Sequence, residues 1–84
     1  MTTLPTVHIN GTSAQSLADE YLAVVRAVRL AGEALDSATC NPRDFYTQDG
    51  AWPKARAERE EIFRKLREVK QYAEAWLEHI SDHL

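Results

Sequence analysis

The chain has 84 residues, a formal charge of −3 and a single cysteine. That leaves room for one small domain, excludes an internal disulfide and makes most catalytic architectures too large to fit. A chain this short buries only about 60% of the surface its unfolded form exposes, so oligomerisation is the first expected supplement to its core and a metal the second. Charged residues make up 27% of the chain and apolar residues 44%, with three Gly and three Pro, which is the profile of a folded, helix-rich protein. No stretch approaches the roughly 18 apolar residues of a membrane span, and no basic region followed by an apolar run opens the sequence. The expectation is a cytoplasmic protein with no membrane partner.

Residues 1–12 alternate weakly around Val7 and Ile9 behind Pro5 and predict an extended N-terminal arm or short edge strand. Thr12 followed by Gln15 fits a capping box, so a helix is expected to begin at residue 13. From there Leu17, Tyr21, Val24, Val28, Ala31, Leu35 and Ala38 recur in steps of four and three, a coiled-coil seam running to residue 39. Cys40-Asn41-Pro42 ends it, because the residue before a proline is pushed out of the helical region. Residues 40–52 then form a loop with a turn signal at Asp49-Gly50. Pro53 suits the first turn of a second helix over residues 53–81, whose seam is Ala55, Ile62, Leu66, Val69, Ala73, Trp76 and Ile80.

The fold class expected is therefore all-α: a long antiparallel helical hairpin over residues 13–84, with the arm extended and the two helices of similar length. The apolar arcs are wider than one partner helix can cover. Leu30 lies opposite Leu17 and Leu35, Phe63 and Leu77 flank the second seam on one side, and Tyr72 flanks it on the other. Assembly into an oligomeric helical bundle, a homodimer or higher, follows as an expectation.

Charge is uneven along the chain. Arg43 in the loop and Lys54, Arg56 and Arg59 in the first turns of the second helix gather positive charge near free backbone N–H groups, where a phosphate or carboxylate could be held. Glu58, Glu60 and Glu61 offer the competing reading of an ordinary solvated face with i,i+4 pairs. Beside the cations, Phe45, Tyr46 and Trp52 supply flat faces for stacking on a base, and Asp44 and Asp49 supply acceptors for its edge. The alternative is that these aromatics plug the open end of the hairpin and the acids make turn bonds.

Catalysis finds no support, because the sequence holds no nucleophile with a neighbouring base and acid in a motif context and no glycine-rich phosphate loop. His79 and His83 have the spacing of two zinc ligands, but two are too few and Cys40 belongs to the other end of the hairpin. No metal and no cofactor are expected. The 13 acidic residues against ten basic ones also disfavour duplex DNA as a partner.

His8-Ile9-Asn10-Gly11-Thr12-Ser13 and Asn41-Pro42-Arg43-Asp44-Phe45-Tyr46, with Gln48-Asp49-Gly50 after them, resemble small two-helix accessory proteins of tailed phages and prophages. The resemblance covers nearly the whole length. It implies a compact accessory protein made in a bacterial host cell during infection, and by analogy an anti-defence factor. Together the two lines predict a non-enzymatic homo-oligomer that sequesters a phosphorylated, nucleotide-like small ligand. Arg43, Lys54 and Arg56 would hold phosphate, Tyr46 or Trp52 would stack on a base, and Asp44 would read its edge. His8, Asn10 and Thr12 would reach the same site from the arm of an antiparallel partner. Two alternatives compete: an inhibitor that docks on a host defence protein through an apolar stripe of Leu22, Leu30, Phe63 and Leu77, and a structural or assembly helper that uses the stripe on its own kind.

Overall fold

A computed structural model of the protein describes residues 2–7 and 13–84. It is a two-helix hairpin: helix α1 spans Ala14–Ser37, helix α2 spans Ala51–Ser81, and a single 3₁₀ turn over Pro42–Phe45 lies between them. No strand occurs among the described residues, and residues 2–7, expected as an arm or edge strand, run without regular structure. At about 1.5 Å per residue the helices are roughly 36 and 46 Å long, so the expected equality of length does not hold.

Local chemistry sets the ends of the helices. Ser13, not Thr12, caps α1: its hydroxyl accepts from the Ser16 amide at 3.1 Å. Gln15, expected to close a capping box, donates instead to the Asp19 carboxylate one turn on at 2.9 Å. Thr12 itself falls outside the described residues. Helix α1 stops when Ala38 turns extended, its amide donating back to the carbonyls of Ala34 and Leu35. Helix α2 starts two residues before Pro53, behind Gly50 in the left-handed region at φ 71°. Only glycine holds that conformation without strain.

The helices are antiparallel. Tyr21 stacks on Trp76 at 4.5 Å between ring centroids, while Arg59 reaches the α1 carbonyls of Leu35 and Ala38. The inward row of α1 is Ala14, Ala18, Tyr21, Val25, Val28, Gly32 and Leu35; that of α2 includes Ala55, Arg59, Phe63, Leu66, Ala73, Leu77 and Ile80. This corrects the expected seam. Val24 and Ala31 on α1, Ala38 just past its end, and Ile62 and Val69 on α2 are exposed. Phe63 and Leu77, expected on the flank, face inward.

The reason is size complementarity. Both rows share Tyr21, Val28, Leu35, Ala55, Leu66, Ala73 and Ile80, and differ in what fills the gaps. The observed row buries small Ala18 and Ala73 at the end where the Tyr21 and Trp76 rings stack, and turns the Phe63 ring toward α1. The buried residues, Ala18, Ala73 and Ile80, all lie in the half of the hairpin nearest the arm. There the His79 Nε2–H donates to the Pro5 carbonyl at 2.8 Å and ties the arm down. The molecule measures 61 × 24 × 15 Å. Its least dimension barely exceeds one helix diameter of about 10–12 Å, so each helix has a single neighbour and both broad faces are open.

Candidate functional site

The connection between the helices is built from short-range hydrogen bonds. The Asp44 carboxylate accepts from the Asn41 amide at 3.2 Å, and the Asp44 amide donates to the Asn41 carbonyl at 3.0 Å. The amides of Gln48 and Ala51 then donate to the carbonyls of Phe45 and Gln48. Phe45 and Trp52 are half-buried and meet at 6.0 Å with a 38° tilt. The contact between the two rings fits the alternative reading of the loop aromatics as a plug, and the turn takes one oxygen of the exposed Asp44 carboxylate.

The other expected loop residues remain at the surface. Tyr46 is 85% exposed, and Arg43, Lys54 and Arg56 are exposed as well. Arg56 pairs with Glu60 at 3.4 Å. Thus Arg43, Asp44, Tyr46, Trp52, Lys54 and Arg56 share one end of the molecule, and of these only Trp52 is half-buried. His8, Asn10 and Thr12 lie outside the described residues. Residues 2–7 are the segment that His79 ties down at the far end, so within one hairpin these residues and the loop stand apart.

Arg59 has a task that the sequence pattern did not announce. Its guanidinium donates to the carbonyls of Leu35, Asp36 and Ala38, the last at 3.1 Å. Helix α1 has no basic residue in its last turn, so a cation from α2 satisfies the free carbonyls and the negative end of the dipole. The same guanidinium lies 5.5 Å over the Phe63 ring. Arg59 is therefore a clamp between the helices and is withdrawn from any ligand site.

The two broad faces differ. Arg29 of α1 and Arg67 of α2 border one groove, so the flanks opposite to theirs, bearing Val24 and Ala31 on α1 and Ile62 and Val69 on α2, share the other face. Val24, Ile62, Val69 and Tyr72 are 38%, 44%, 46% and 47% exposed. Tyr72 and Trp76 meet at 6.1 Å on the same side. Burial against this aromatic cluster pushes the Tyr21 hydroxyl above its ordinary pKa, with the neighbouring Tyr72 adding to the rise. The Trp76 indole N–H is buried and has no hydrogen-bond partner among the described residues. On the outer side of α2, Arg64 pairs with Glu61 and Glu68, and holds the Glu61 carboxyl below the usual carboxylate range.

His79 and His83 stand edge to face at 5.4 Å. No group of three or more His, Cys, Asp or Glu side chains comes together to hold a metal among the described residues. Among the described residues no helix is long and apolar enough to cross a membrane. Comparisons with protein-family models, with curated proteins and with solved structures gave no match.

Proposed function

We propose that the protein is a non-enzymatic binding protein that acts as a homodimer or higher assembly, its copies joined through the face that carries Val24, Ile62, Val69 and Tyr72. The exposure of these four side chains on one side of a hairpin only 15 Å thick carries the reading. A second copy laid on that face would give each helix further neighbours and cover the stripe, the usual route to stability for helical hairpins of this size. The stripe expected from the sequence for docking, Leu22, Leu30, Phe63 and Leu77, is divided: Leu22 and Leu30 face solvent, and Phe63 and Leu77 face α1.

Sedimentation equilibrium at micromolar concentration tests this. The wild-type chain is expected to sediment as a dimer or larger, and Ile62→Glu with Val69→Glu to sediment as a helical monomer. A wild-type chain that is monomeric and folded overturns the reading.

A second reading, favoured by the exposure of Tyr46 beside Arg43, is that the loop end captures a phosphorylated, nucleotide-like ligand, as the resemblance to phage accessory proteins suggests. Arg43 and Lys54 would hold phosphate and Tyr46 would stack on the base. The arm of an antiparallel partner would supply His8, Asn10 and Thr12.

A further inference from the structure

The face opposite the apolar stripe holds a groove with a different chemistry. Val28, Gly32, Phe63 and Leu66 form its apolar floor and wall, and Arg29, Arg67 and Lys70 complete the lining; no acidic residue lines it. Its volume is about 150 Å³, the size of cavity that takes one aromatic ring or a short acyl chain.

Two features of the seam create this space. Gly32 sits in the interior of α1 at an inward position with an ordinary negative φ, since Gly50 alone has a positive one among the described glycines. Glycine there lowers helix propensity without serving any backbone need. A Cβ added at Gly32 would meet nothing within 4 Å, so the missing side chain leaves a hollow rather than a close contact. On α2 the seam position between Phe63 and Leu77 falls on Lys70, which is exposed and leaves the hollow unfilled from that side.

The rim charges are uncommitted. Arg56 and Arg64 pair with glutamates, and Arg59 is bound to backbone carbonyls. Among the described residues Arg29, Arg67 and Lys70 form no ion pair. Three like charges around one opening repel one another until an anion enters, and a low-dielectric floor strengthens the attraction for it. The chain as a whole is acidic, which makes this patch a local exception.

The geometry points to a binding site for a small amphiphilic anion, a phosphate or carboxylate carried on an apolar body about the size of one ring. The body lies over Gly32 between Val28, Phe63 and Leu66, and the anionic head meets Arg29, Arg67 and Lys70. Arg59 over the Phe63 ring fixes that wall. The site does not depend on dimerisation, because it lies on the face away from the stripe.

Amide NMR titration of the full chain with phenyl phosphate, benzoate, inorganic phosphate and benzyl alcohol tests the proposal. Shifts are expected around Val28, Gly32 and Phe63, with phenyl phosphate or benzoate binding about tenfold or more tighter than inorganic phosphate and benzyl alcohol, since each control lacks one half of the match. Which of the two aryl anions binds better identifies the head group. Arg67→Gln with Lys70→Gln, both at exposed positions, should lose about tenfold in affinity. Gly32→Leu should raise the melting temperature and abolish binding together, a combination that loss of fold cannot produce. Equal binding of aryl anions and inorganic phosphate, shifts centred outside the groove, or unchanged affinity in Gly32→Leu overturns the proposal.

Discussion

The two ends of the hairpin are held by different physics. Nearest the arm, Ala73 and Ile80 are fully withdrawn from solvent and Tyr21 lies flat on Trp76. At the loop end no side chain is buried, and one guanidinium joins the helices through three backbone carbonyls. Apolar packing is non-directional and grows with area, whereas the clamp depends on one planar fork meeting the end of one helix. The arm end is thus the anchor of the fold. The loop end carries the exposed Arg43 and Tyr46.

The largest expected effect is at the anchor. Ile80→Ala removes the one large side chain that is fully buried among the described residues and should cost about 2–5 kcal/mol, a large share of what so small a chain can hold. Denaturant unfolding followed by circular dichroism measures it. A smaller effect belongs to the clamp. Arg59→Ala should cost about 1.5–3 kcal/mol, the range for hydrogen bonds from a charged group. Arg59→Lys should recover little, because an ammonium cannot span three carbonyls as the fork does. Hydrogen exchange distinguishes the two ends: loss of the clamp should speed exchange near Ala38 and leave the amides around Ala73 protected. Equal loss of protection at both ends would show that the hairpin unfolds as one unit and that the contrast has no energetic meaning.

The sequence pattern reveals the two helices, their antiparallel pairing and the turn at Gly50, because periodicity and turn chemistry are local. The seam is harder to read. Counting apolar residues favours the row through Leu17, Val24, Ala31, Ile62 and Val69, which is fuller than the row through Ala18, Val25, Gly32, Phe63 and Lys70. The structure adopts the second row, with small Ala18 and Ala73 buried and the Phe63 ring turned toward α1, and the count of apolar residues is blind to that fit. The same blindness hid the groove, which exists only where Gly32 and Lys70 interrupt the seam that was chosen. At the loop, the sequence brought cations and aromatics to one end correctly. It left open whether the acids make turn bonds and the aromatics close the hairpin end or both serve a ligand, and it did not reveal that Arg59 serves α1, because each depends on a partner placed by the folded chain.

The smallest effect separates the ends by pH. The folded-state pKa of Tyr21 lies above its unfolded value, with burial as the first cause and Tyr72 as the second. Below the unfolded value, about 10 for a free tyrosine, both states hold the proton and stability does not change. As pH rises from there through the folded value, the unfolded chain gives up a proton that the native chain retains, so stability falls. Tyr21→Phe should flatten this alkaline decline while keeping the ring stacked on Trp76, and absorbance titration of tyrosinate in the folded chain should show one hydroxyl ionising late. A decline of equal slope in the variant would place its origin away from the aromatic anchor.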